Sequence, residues 1–131
     1  MTYTLKEIKI AEEKIHHIKQ RCSRKGLDFD ISLSDMLNFL SVPTCELTGV
    51  DLITQSPDTS RSKFNVRTLD RRDNKKGYVT DNIMVICYSA NKMKAKFEDP
   101  NNKGFVLGSV QEIIDHVKNK LTKEFKIQKH I

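Results

Sequence analysis

Between Phe64 and Phe97 the sequence changes its hydrophobic period twice, and that order admits few folds. A β-like run ends at Thr68-Leu69-Asp70, a polar loop containing Gly77 follows, and a second β-like run occupies Asn82-Ile-Met-Val-Ile-Cys-Tyr88. Two short strands separated by such a loop read as a hairpin. Ser89 is then placed to cap a helix carrying Asn91, Met93, Lys94 and Phe97. Strand, loop, strand and helix follow one another without a break, which makes a compact ββα unit.

Helical patterns flank this unit. Leu5, Ile8, Ala11, Ile15, Ile18 and Cys22 recur at spacings of three and four, which predicts an amphipathic helix over 4–25. Thr4 can cap its start and Gly26 can end it. His16 and His17 are adjacent and so point to different sides of that helix. Metal ligands on a helix need spacings of three or four, and the pair reads as surface. A second helix is expected from about Leu33 to Leu40, opened by a Ser32/Asp35 capping box and stopped by Pro43. Cys45-Glu-Leu-Thr-Gly49 reads as a tight knuckle and Thr54 to Ser62 as loop. Residues 98–108 are rich in turn formers. A last helix opens at a Ser109/Glu112 capping box with Ile113, Ile114, Val117, Leu121 and Phe125 on its inner side, and the tail beyond Phe125 is expected to fray. The organisation is that of one α+β domain over 1–131. It has N-terminal helices in 1–43, the knuckle and ββα motif in 44–97 and a C-terminal helix in 98–131.

A chain of 131 residues, 37% hydrophobic and without Trp, has a modest core but enough buried surface to fold alone. No stretch approaches the roughly 18 apolar residues of a membrane span, and the N-terminus lacks the apolar run of a signal peptide. Three widely spaced cysteines argue against a disulfide framework and for a reducing cytoplasm. The formal net charge is +6. From Arg61 to Lys96 there are ten basic residues against three acids, so the excess of positive charge lies wholly in this quarter of the chain. Charge gathered around one hairpin favours a phosphate partner over a merely solvated basic surface.

The segment LDRRDNKKGYVTDNIMVICYSANKMK, Leu69 to Lys94, resembles the HNH (His-Me finger, ββα-metal) endonuclease superfamily. It is most similar to small HNH-like bacteriophage proteins with a Leu-Asp-Arg…Gly-Tyr-Val…Asn…Asn…Lys pattern. The resemblance is strongest over Cys45–Lys94 and extends weakly to Lys25-Gly26-Leu27. It implies a ββα-metal core in which Asp70 and the amide oxygen of Asn91 bind Mg²⁺ or Mn²⁺, with water and phosphate filling the other positions. That ion would neutralise charge building on a scissile phosphate. Asn82 would hold the loop by bonding its backbone. Arg67, Arg72, Lys75, Lys76, Lys92 and Lys94 would bind DNA, and Arg71 would complete the catalytic set of Asp70, Asn82 and Asn91.

Two hallmarks of the superfamily are altered. The residue after Asp70 is usually a histidine acting as general base; Arg71 stays protonated and can only stabilise charge. Tyr78 and Tyr88 are the phenols at hand as substitutes. The paired Cys-x-x-Cys knuckles that hold a structural zinc read here as Cys45-x-x-Thr48 and Cys87-x-x-Ala90. No structural zinc is expected, and Cys45 and Cys87 are expected to pack together beneath the hairpin. Two functions follow. One is a metal-dependent DNA endonuclease or nuclease-derived DNA-binding protein. The other is a non-catalytic phage-type module that binds nucleic acid or inhibits a host protein.

Overall fold

The computed structural model describes residues 2–54, 64–99, 101 and 109–129, with side chains as far as residue 123. Helix α1 spans Leu5–Lys25. Thr4 Oγ1 accepts the Glu7 N–H at 3.1 Å while the Glu7 carboxylate accepts the Thr4 N–H at 3.0 Å, so the capping residues satisfy each other. Gly26 ends the helix at φ 68°, a left-handed conformation suited to glycine, and its N–H bonds Cys22 O. After a two-residue strand β1 (Phe29–Asp30), helix α2 (Leu33–Leu40) starts at the Ser32/Asp35 box. The knuckle closes through Cys45 N–H to Val50 O and Gly49 N–H to Cys45 O, both 2.9 Å.

Strand β2 (Arg67–Arg71) pairs antiparallel with β4 (Ile83–Cys87) in a register running from Arg67↔Cys87 to Arg71↔Ile83. The connecting loop contains strand β3 (Tyr78–Val79) and a 3₁₀ turn (Thr80–Asn82). Helix α3 (Tyr88–Glu98) follows β4 directly, and α4 covers Val110–Lys129. The result is an α+β architecture, with the antiparallel β2–β4 pair and α3 forming the ββα unit.

All five residues of β4 are buried. Ile83 packs with Ala11, Ile18 and Cys22 of α1 and with Met36 and Leu37 of α2. Met84 to Cys87 pack with Cys45, Leu47 and Leu52 around the knuckle and with Ile114, Val117 and Leu121 of α4. The inner face expected for α4 is therefore seen at Ile113, Ile114, Val117 and Leu121; Phe125 lies outside the described side chains. The expected loop from Gln55 to Ser62 also falls outside the described residues, as does most of 98–108. No helix among the described residues is long and apolar enough to cross a membrane.

The structure differs from the sequence reading in three places. Ser89 does not cap α3. The cap is Cys87, which offers no side-chain bond. The first helical N–H groups instead go to backbone: Tyr88 N–H to Val66 O at 2.8 Å and Ser89 N–H to Phe64 O at 3.2 Å. Helix α4 continues to Lys129 rather than fraying after Phe125; Lys126, Gln128 and Lys129 are good helix formers. The third difference is the parallel pairing of β1 with β3, Phe29↔Tyr78 and Asp30↔Val79.

That pairing depends on Gly77. Tyr78 N–H bonds Asp28 O at 2.9 Å, and a Cβ at Gly77 would stand 2.0 Å from the same oxygen. Only glycine lets the two backbones approach. Gly77→Ala is expected to destabilise the protein by roughly 1–3 kcal/mol through forced displacement of backbone. Urea unfolding would measure the loss, and amide exchange should show the Tyr78 N–H losing protection ahead of the β2–β4 ladder.

Candidate nucleic-acid and metal site

Strand alternation puts Thr68, Asp70, Met84 and Ile86 on one face of the β2–β4 pair. Helix α3 lies against that face and its side chains meet β2 in sequence. Asn91 Nδ2 donates to Thr68 Oγ1 at 3.1 Å, and Thr68 Oγ1 donates to Ile86 O at 2.8 Å. One turn on, Lys94 Nζ reaches Asp70 Oδ2 at 2.9 Å. Asp70 and Asn91 thus share a face, but the group in contact with Asp70 is Lys94. The amide oxygen of Asn91 is left for another donor or a cation.

Lys94 is fully buried. Its ammonium donates to Arg71 O and to Glu98 Oε2, both at 2.7 Å, besides pairing with Asp70. A buried ammonium is tolerated only when paired and hydrogen-bonded, and three oxygens achieve that here. The Asp70 contact is an ion pair to a buried oxygen, Oδ2. Burial pushes the Glu98 carboxyl above its ordinary range, Lys94 opposes that rise, and the charge on Asp70 adds to it. The phosphate contact expected of Lys94 is therefore not the use this structure makes of it. Glu98 joins the site through its i, i+4 relation to Lys94, the one sequence signal that points to it.

Asn82 is buried at the far end of the loop. Its Oδ1 accepts the Asp73 N–H at 3.0 Å, and its Nδ2 donates to Asp73 O at 3.1 Å and Gly77 O at 3.0 Å. The Asn82 carbonyl also takes the Arg72 N–H at 2.7 Å. One side chain so fixes both ends of the 73–77 turn. Arg71 points into that turn, donating to Asn74 O at 2.8 Å and Lys76 O at 3.1 Å. Its guanidinium lies 5.4 Å from the centre of the Tyr78 ring, and Arg21 of α1 lies 5.7 Å from the same ring.

The other basic candidates divide. Arg67 donates to Val42 O at 2.9 and 3.3 Å and to Thr54 Oγ1 at 3.1 Å, which ties β2 to the end of α2; burial draws its pKa down. Arg72 pairs with Glu46 at 2.8 Å on the surface, a contact of small energetic weight. Lys75, Lys76 and Lys92 are exposed and project from the loop and from α3.

The two cysteines of the knuckle do meet. Cys45 Sγ accepts the Cys87 N–H at 3.3 Å, Thr48 Oγ1 lies 3.9 Å from Cys87 Sγ, and both thiols are buried. The Cys87 thiol and amide donate toward Cys45, drawing its thiol down, while the same contact and burial push Cys87 up. Among the described residues no three His, Cys, Asp or Glu side chains cluster as a metal site.

No family model and no curated protein matches the sequence. Among solved structures the chain is similar to the rare-cutting HNH restriction endonuclease PacI, with a TM-score of 0.61 over 90% of this chain and 80% of that one. Identity is 15%, so the likeness is one of fold. The ββα unit with its flanking helices is an HNH-like α+β fold.

Two expected outcomes follow from this geometry. Asn82→Ala removes three hydrogen bonds and should cost about 2–4 kcal/mol in chemical unfolding. Lys94→Met should cost about 3–5 kcal/mol at neutral pH, because it leaves two partly buried carboxylates without their cation. The Glu98 carboxyl holds its proton to higher pH when folded than when unfolded, so its contribution to stability falls as pH rises from about the ordinary glutamate value through the raised one. Without Lys94 that fall should steepen. Urea titrations of the variant at pH 5 and pH 8 should therefore show the smaller deficit at pH 5.

Proposed function

We propose that this chain is an HNH-type, metal-dependent endonuclease acting on DNA phosphodiesters through its ββα unit. The observation that carries the reading is the placement of Asp70: a carboxylate at the end of β2, facing α3 on the face where Asn91 also stands. Asp70 and the Asn91 amide offer oxygen donors only, a set that suits a hard divalent cation. Mg²⁺ or Mn²⁺ held there would neutralise charge on the phosphate and on the leaving oxygen. Asn82 acts as a positioning residue by holding the turn that carries Arg71. Lys75, Lys76 and Lys92, being exposed, are available to DNA phosphates.

Arg71 cannot remove a proton from water. Tyr78, set against the Arg71 guanidinium, and Tyr88, half-exposed beside Asn91 on α3, are the phenols in place for that part of the reaction. A second reading has its own support: the Lys94 ammonium already sits against Asp70. A carboxylate neutralised in this way would serve a nuclease-derived module that binds DNA without cutting it.

The deciding measurement is cleavage of plasmid and branched DNA in Mg²⁺, Mn²⁺ and EDTA, with Asp70→Ala beside the wild type. The endonuclease reading expects metal-dependent nicking that falls roughly 100-fold or more in the variant. Salt-sensitive binding that survives both EDTA and Asp70→Ala, without any strand scission, would replace it with the binding module.

A further inference from the structure

A cleft of about 410 Å³ runs between α1 and the side of the ββα unit formed by β2 and α3. Lys14, His17 and Arg21 line one wall, and Thr68, Tyr88 and Asn91 belong to the other. The three basic residues of α1 stand at i, i+3 and i+7, so they share one face of the helix, and all three are exposed. No aspartate or glutamate is among the residues lining the cleft. Arg67 borders it as well, but its guanidinium is spent on Val42 O and Thr54 Oγ1. Free positive charge at this place therefore comes from α1.

We propose that this cleft is a binding site for the phosphodiester backbone of one nucleic-acid strand, with Lys14 and Arg21 as its phosphate contacts and His17 between them as a further donor. The inference rests on the DNA reading above and extends it to an element outside the ββα motif. Its volume is that of a small-ligand pocket, so it takes a segment of one strand and not a duplex. Tyr88, 39% exposed at the opposite wall, supplies an aromatic face beside the cations, the combination by which proteins hold single strands without reading sequence. The cleft opens beside Asn91, and Arg21 also lies over Tyr78. A strand held by α1 is thereby delivered to the side of the unit where Asn91 stands.

Fluorescence anisotropy on a short labelled duplex and its single strand, in EDTA so that no cleavage intervenes, reads this directly. Each phosphate contact contributes about 0.7 to the slope of log affinity against log salt on a single strand and about 0.9 on a duplex. K14A/R21A should lower that slope by about 1.4 on the single strand and weaken binding by on the order of tenfold or more at low salt. K9A/K19A removes the same charge from the other side of α1, where both lysines are exposed, and should leave the slope near that of the wild type. Circular dichroism on both pairs separates lost binding from lost helix. Equal effects in the two pairs, or an unchanged slope in K14A/R21A, would overturn the proposal while leaving DNA binding intact. Failure of the wild type to bind either DNA would bring down the functional reading itself.

Discussion

A strand buried along its whole length has to be covered by something on every side, and β4 is such a strand. Its first residue, Ile83, is enclosed by α1 and α2; the next four are enclosed by the knuckle and α4. Neither cover could be removed without exposing several apolar side chains, each worth roughly 1.5–3 kcal/mol when fully buried. Burial of β4 therefore draws the N-terminal helices, the knuckle and the last helix to one place. The geometry of the candidate site is a by-product of that requirement. Because α1 must reach Ile83, its polar face comes to lie along β2, and a cleft forms where Asn91 stands.

The loop between β2 and β4 meets a different demand. It has to hold polar backbone in place without a regular ladder, and buried or half-buried peptide groups need partners. Asn82 supplies three of them from a single amide. Gly77 supplies another by letting Asp28 O approach the Tyr78 N–H. Arg71 completes the turn by donating to two of its carbonyls. The guanidinium that stands where the superfamily resemblance implies a histidine is thus structural as much as electrostatic, and replacing Arg71 would disturb the turn as well as the charge.

How much of this was legible in the sequence follows from what kind of signal each feature leaves. Helices α1 and α2 are long enough to show period and are opened by reciprocal caps, so even their limits could be read. The β2–β4 hairpin was visible because five apolar residues in a row leave little choice. The β1–β3 pair left no trace, since two residues have no period, and its one clue was Gly77 in a polar loop. The start of α3 was misplaced because its first N–H groups are satisfied by the backbone of residues 64 and 66, which no local pattern reveals. At the site, the roles given to Lys94 and Arg67 rested on charge and order alone; burial, which redirects both side chains inward, is a tertiary property. His17 reads as plain surface for the converse reason. Its helix face is polar, and only the packing of α1 against β2 turns that face into the wall of a cleft.

At the two places where the superfamily resemblance implies a metal, the protein's own groups make contacts with one another. Beside Asp70 the cation is the ammonium of Lys94, held additionally by Glu98 and Arg71 O. Where four cysteines would share a zinc, Cys45 Sγ takes the Cys87 N–H and the knuckle is closed by backbone bonds. The two substitutions differ in consequence. A structural metal can be exchanged for packing and hydrogen bonds with no loss beyond stability, because its work is done once the chain is folded. A fixed ammonium beside Asp70 cannot stand in for a divalent ion in the same sense, since it brings one charge rather than two and no coordination sites for phosphate or water. Any cation that engages Asp70 has to compete with Lys94 for the same oxygen. On the proposed reading, whether the chain cuts DNA or only binds it turns on that contact as well as on the residue at position 71.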